Sequence, residues 1–327
     1  MHSLPLEIQH EIFVLACTDG GRTGLALSLT SRSYRDAARP VRLHSVAIRA
    51  FSHIEGALRS YKRDQAELEA SGSTLKPQVR HLLLSPADKG PNDDDVDEDE
   101  TYTALAALLQ LLGPTLRTLA YTAPISFSGL CSSCPISMPK LEELTILLNE
   151  HEHQPKSQPT AARPSYPALQ KLHVVLSYGA AAVPDLMSWW SDVAPNVTDL
   201  RLTNVGRSDG GRHWLQSMMD GDRTKRPYPS VRRIFVEPYQ RPIGGKCGTP
   251  RAKHGYFVKE LKAVKKQVPE DIQFILKGKD LGAGSVDRIA AVERYWTDST
   301  NGGEGGWRQS KRLVGRVDPR DYHDGYV

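Results

Sequence analysis

The chain has 327 residues, a formal net charge of +4 at pH 7, and 39% hydrophobic and 24% charged residues. That length accommodates one large domain or a small one joined to a large one, and the composition excludes a wholly disordered chain. The charge is too small to specify a nucleic-acid partner by itself, and no run approaches 18 consecutive apolar residues, so no helical membrane span is expected. The four cysteines, Cys17, Cys131, Cys134 and Cys247, do not make a disulfide scaffold. With no basic stretch leading into an apolar core at the amino end, a reducing cytoplasmic or nuclear setting is expected.

The first 48 residues predict three short helices. Leu4, Ile8, Ile12 and Leu15 fall on one stripe of period 3.6. Pro5 suits the first turn, where its missing N–H costs nothing, and Gly20 and Gly21 are expected to stop the helix. Leu25, Leu27 and Leu29 mark a second helical run. Tyr34, Ala37 and Ala38 mark a third, ended by Pro40. Three helices in about 40 residues bury little surface alone, so this unit should lean on the rest of the chain or on a partner.

The order Leu4-Pro5-Leu6-Glu7-Ile8, then Ile12-Phe13 and Leu15, then Ser31-Arg32-Ser33-Tyr34-Arg35, resembles the F-box motif. The resemblance covers residues 4 to about 48, with Tyr34 where Trp is more usual and a Gly-rich central turn. An F-box implies docking to a Skp1-like adaptor within a cullin complex, a ubiquitin ligase. The residues this assigns to the partner-binding surface are Leu4, Pro5, Ile8, Ile12, Phe13, Leu15 and Leu29. The opposing expectation is a three-helix cap that closes the end of a larger fold and is covered by it. Exposure of the Leu4/Ile8/Ile12 stripe separates the two.

The middle of the chain repeats. A pattern Pro-x-Φ-x-x-Φ-x-Φ, with Φ apolar or aromatic, starts at Pro77, Pro114, Pro139, Pro167, Pro195 and Pro229. A looser copy, Leu43, Val46 and Ile48, follows the first helices, and a degenerate one, Ile272, Phe274 and Leu276, follows Pro269. Each closing Φ-x-Φ predicts a short strand, the earlier Φ anchors the turn into it, and the proline prevents a preceding helix from running on. Amphipathic sequence fills the gaps at His53–Ala70, Tyr102–Leu112, Val183–Val193, Gly211–Met219 and Tyr256–Val268. Strand and helix in alternation predict an α/β fold with parallel strands and helices packed on one side. The array resembles a leucine-rich-repeat solenoid, coarser than that family's usual spacing of roughly 20–29 residues and without its Asn/Cys position. An F-box followed by such repeats is similar to a large group of fungal F-box proteins. The expected domains are the F-box over 1–48, the solenoid over 43–280, and a C-terminal helix with a flexible tail over 281–327. An acidic loop over 91–100 and a polar loop over 150–165 interrupt the solenoid.

Other signals are weaker. Asp93–Glu100 holds seven acids in eight positions and reads as a solvated insertion. Cys131 and Cys134 form a C-x-x-C with His151 and His153 some way on, short of a recognisable zinc spacing, so no metal is assigned. Asn196-Val197-Thr198 matches a glycosylation acceptor but falls in a predicted repeat strand. Basic residues with Tyr228, Phe235, Tyr239, Tyr256 and Phe257 over Arg223–Lys266 could bind nucleic acid, although the aromatics at strand positions should face a core. No catalytic motif, phosphate loop or cofactor fingerprint is present, so no catalytic residue and no cofactor are expected. The resemblance therefore implies a substrate-recognition adaptor with an unknown protein substrate. The second reading is a scaffold or nucleic-acid-binding solenoid with a helical cap.

Overall fold

The computed structural model describes residues 4–72, 74, 76–86, 98–134, 136–148, 166–176, 183–206, 211–219, 222–239, 249–277 and 285–307. Three helices come first: α1 (Leu6–Ala16), α2 (Arg22–Thr30) and α3 (Arg32–Ala38). Strand and helix then alternate: β1 (Ser45–Ile48), α4 (Ser52–Ala70), β2 (His81–Leu84), α5 (Glu98–Leu112), β3 (Thr118–Tyr121), α6 (Phe127–Ser133), β4 (Glu143–Leu148) and β5 (Lys171–Leu176). There follow α7 (Val183–Val193), β6 (Asp199–Val205), α8 (Gly211–Ser217), β7 (Arg233–Pro238), α9 (Thr249–Lys266) and β8 (Gln273–Leu276). Last come α10 (Ser285–Thr300) and a 3-10 turn at Gly305–Trp307. The eight strands form one open sheet in sequence order, every neighbouring pair parallel. Among the described residues no helix is long and apolar enough to cross a membrane.

Each strand sits on a copy of the repeat, and the hydrogen bonds show why the pattern works. In Gly113–Leu116, Met138–Leu141, Tyr166–Leu169, Ala194–Val197 and Tyr228–Val231, the residue before proline accepts from the N–H of the apolar anchor three positions on. That is a four-residue turn with proline second, where its fixed φ is favoured. The anchors Val79, Leu116, Leu141, Leu169, Val197 and Val231 are all buried. Within the strands one set of alternate residues, from Ile48, Leu82 and Leu84 across to Val236 and Phe274, packs beneath α4 to α9 in the main core. Asn196 lies in one of these turns, not in a strand, and its side-chain amide donates to the Pro167 carbonyl.

Two sequence expectations need correction. Gly20 and Gly21 do not stop α1, which ends at Ala16. Gly21, in the left-handed region at φ 98°, instead begins α2 as its N-cap. The acidic run is not all loop. Glu98, Asp99 and Glu100 open α5, and acidic residues are favoured in the first turn of a helix. Residues 91–97, the polar loop, His151, His153, Cys247 and the tail from 308 lie outside the described residues.

Candidate functional site

Two surfaces stand out, one exposed and one covered. The exposed one is built on α1 to α3. Phe13, Ala38 and Val41 form a small core, with Val14, Leu27 and Ala37 packed against it. Gly24 lets α2 lie on the backbone beyond α3, because a Cβ there would collide with the Arg42 carbonyl. Ser31 caps α3 by accepting from the Tyr34 N–H at 3.1 Å, and Arg35 Nε donates to the Ser28 carbonyl at 2.8 Å near the end of α2. The Ser31–Arg35 element therefore ties the end of α2 to the start of α3. Arg42, just after the unit, pairs with the fully buried Asp64 of α4, which fixes the three helices to the first repeat.

On this frame Leu4, Pro5, Ile8, Ile12, Leu15 and Leu29 all face solvent, with Leu15 77% and Leu29 73% exposed. Phe13 is the correction in the expected set: its ring points into the small core, 6.0 Å edge-on from Tyr34. The reason is helical phase, since Phe13 and the buried Cys17 are one turn apart on the face opposite the apolar stripe. Leu6, Leu25 and Tyr34 are also exposed and were missed. Leu25 and Leu29, four apart, share a face of α2, whereas Leu27 turns inward. Helical spacing could have separated them. So many exposed large apolar side chains on three short helices are unusual for a surface with no partner.

The covered surface is the sheet face opposite α4–α9. Its central side chains, Leu83, Ala120, Leu147 and Val175, are buried beneath Ala291, Val292 and Trp296 of α10. Beyond Trp296, the 3-10 turn lays Trp307 against this face. Its ring meets Phe235 edge-on at 5.6 Å, and its Nε1 donates to Glu143 Oε1 at 3.0 Å. Glu143 Oε2 accepts from Ser299 at 3.0 Å. Arg201 of β6 is fully buried here with its guanidinium 4.5 Å from the centre of the Tyr295 ring. His173 of β5 is buried, 2.9 Å from the Thr203 hydroxyl, and burial together with the charges of Arg201 and Lys277 holds its imidazole well below the usual range. The C-terminal helix and turn thus form a strap across the sheet, and the predicted C-terminal tail is ordered at least to Trp307.

The remaining candidates assemble no chemistry. Cys131 is buried and accepts from the Tyr166 hydroxyl at 3.2 Å, and neither Cys131 nor Cys134 is in a disulfide with another described cysteine. Among the described residues no three His, Cys, Asp or Glu side chains are placed to hold a metal ion. In the basic region Tyr228, Phe235 and Phe257 are buried, while Tyr256 is exposed with Lys259 Nζ 5.8 Å from its ring centre. Comparison with protein-family models, curated proteins and solved structures finds no match to this chain.

Proposed function

We propose that this chain is a substrate-recognition adaptor of a Skp1–cullin–F-box ubiquitin ligase. In this reading α1–α3 are the F-box, the strand–helix array is a leucine-rich-repeat-like solenoid, and the exposed apolar side chains on α1 and α2 dock a Skp1-like adaptor. The observation that carries it is the bare stripe of Leu4, Ile8, Ile12 and Leu15, joined by Leu25 and Leu29 on α2. A cap closing its own solenoid would bury that stripe against β1 and α4; here the residues that turn inward are Phe13, Val14 and Cys17. Full burial of each exposed Leu or Ile by a partner contributes about 1.5–3 kcal/mol before the costs of association. Four or five such side chains together contribute about 6–15 kcal/mol before those costs. Ubiquitin chemistry then belongs to other subunits, and this chain contributes position.

The test leaves the internal core intact. Ile12→Asp with Leu29→Asp, both at exposed positions, is expected to abolish co-purification with a Skp1-like adaptor while the thermal unfolding midpoint stays unchanged. Phe13 is left alone because its loss would unfold the unit. Undiminished capture of the adaptor by the double variant would remove the basis for this function.

A further inference from the structure

The two edges of the sheet are finished differently. At β1 the loop after α1 lies along the edge, and the outward Ala47 N–H donates to the Gly20 carbonyl at 3.4 Å. At β8 the Gln273 and Lys277 N–H groups donate inward, to the Arg232 and Val236 carbonyls, at 2.7 and 2.8 Å. Successive residues of a strand turn their backbone groups to opposite sides, so Phe274 and Leu276 present theirs to the outer edge. Among the described residues no strand and no backbone group reaches that edge. A row of unpaired N–H and C=O groups is a template for another strand, and edges are ordinarily blunted by proline, charged side chains or bulges. Apart from its four-residue length, β8, with the sequence QFIL, has none of these. Phe274 and Leu276 pack on the helix side in the main core, and Ile275, half-buried, lies on the other face. The surroundings are cationic. Lys259, Lys262, Lys265 and Lys266 are all exposed on α9, the helix that leads into β8. Of the neighbouring acids, Glu260 is half-buried and Asp271 is paired with Arg226, which leaves Glu270.

We propose that the outer edge of β8 is a docking site for an extended acidic segment of another protein, added to the sheet as a ninth strand. Main-chain hydrogen bonds to Phe274 and Leu276 hold it. Alternation sends its carboxylates to the helix side, towards the α9 lysines, and its apolar side chains to the side of Ile275. A second copy of this chain is the poorer fit, because two-fold pairing of β8 edges sets the α9 lysines of both copies against each other. As the substrate of an adaptor, this segment rests on the function proposed above for its biological sense. Its test contains no adaptor, so the two readings fail separately.

The probe is a fluorescein-labelled peptide Glu-Val-Glu-Val-Glu-Val, blocked at both ends, with a Lys-for-Glu counterpart, and binding is read by fluorescence anisotropy on the full chain. The Glu peptide is expected to bind at least about tenfold more tightly than the Lys peptide. Lys262→Glu with Lys265→Glu is expected to shrink that preference to about twofold or less. Leu276→Pro removes an outward N–H and keeps the bonds to β7, and it is expected to abolish binding. If that variant does not fold, amide exchange of the unaltered chain, read residue by residue by NMR, replaces it. Saturating Glu peptide is expected to protect the Phe274 and Leu276 amides. No binding, equal affinity for the two peptides, or unchanged exchange at those two amides overturns the proposal. Protection of the same amides by a higher concentration of the chain alone makes the occupant a second copy and overturns it as well.

Discussion

Two histidines where the chain enters β1 and β2 set a pH dependence whose sign and size follow from their burial. His44 and His81 meet edge to face with ring centroids 5.1 Å apart. Burial, then the cationic side chains of Arg80 and Arg117 and the nearby His10, pushes His44 down to about 4; burial, then His44 and the same two arginines, pushes His81 down to about 4. An imidazole with a folded value below its unfolded value of about 6.5 binds fewer protons folded than unfolded. Stability is therefore intact above about pH 6.5 and is lost as the pH falls through 6.5 towards 4. Between pH 7 and pH 5 each such imidazole costs about 2 kcal/mol, so the pair costs about 4 kcal/mol. That is a large part of the 5–15 kcal/mol typical of a folded domain. The exposed Asp222 and Asp271, held down chiefly by hydrogen bonds from Thr224 and Arg226 respectively, act in the same direction but only at lower pH. The window from 7 to 5 therefore isolates the imidazoles. Urea unfolding followed by circular dichroism at both pH values is expected to show the unaltered chain losing about 4 kcal/mol more than His44→Gln/His81→Gln. The same loss in both proteins would show that these two rings do not stay neutral on folding, and would refute the reasoning. His173, also held low by burial, keeps a residual slope of the same sign in the double variant.

Two further predictions concern the ties between elements. Asp64→Ala leaves the Arg42 guanidinium without its buried partner and is expected to cost about 3–5 kcal/mol, read by chemical denaturation; a loss under about 1 kcal/mol would place the pair among surface ion pairs. Trp296→Ala removes the main ring by which α10 grips the sheet, at a local cost of about 3–5 kcal/mol. Hydrogen exchange is expected to rise across 285–307 while β2–β6 keep their protection, and equal acceleration in both would show that the strap and the main core unfold as one unit.

The strands were legible because one short pattern encodes both a turn and a strand. Proline fixes the turn, the anchor three residues before the strand's first core position drops into the core, and Φ-x-Φ does the rest, as the buried Leu116, Leu119 and Tyr121 show. The strap was harder to read, although a signal for it exists. A sheet with helices on one side alone should alternate apolar and polar residues, yet β4 reads ELTILL and β5 reads KLHVVL. Near-continuous apolar runs of that kind mark strands covered on both faces. Arg201 gave no warning, since a strand arginine at an outward position ordinarily reaches water, and here the arrival of Tyr295 and Gly306 from far along the chain covers it. Phe13 was misplaced for a local reason. The apolar side chains of α1 occupy two faces, and motif order alone does not say which face the domain keeps for itself.

The strap also bears on how the two ends of the molecule are held relative to each other. At its carboxyl end α10 touches the first helices: the Thr300 hydroxyl donates to the Thr18 carbonyl at 3.0 Å, and the Thr18 hydroxyl donates to Asn301 Oδ1 at 2.7 Å. Arg49, just after β1, pairs with Glu293 at 3.2 Å. The same loop after α1 is tied to β1, since Ser45 Oγ donates to the Cys17 carbonyl and accepts from the Gly20 N–H, each at 2.9 Å. With Arg42–Asp64 on the helix side of the sheet, the amino-terminal helices are fixed from both faces. A free linker would let a docking surface and a recognition face sample many separations, and each alternative lowers the effective concentration of one end at the other. Ties on both sides remove those alternatives. The function proposed above, in which this chain contributes only position, draws on that rigidity. Because α10 makes the ties on one face and leads directly into the turn that delivers Gly306 to Arg201 and Lys277, loosening that turn would act on a segment continuous with the helix that braces the amino-terminal helices.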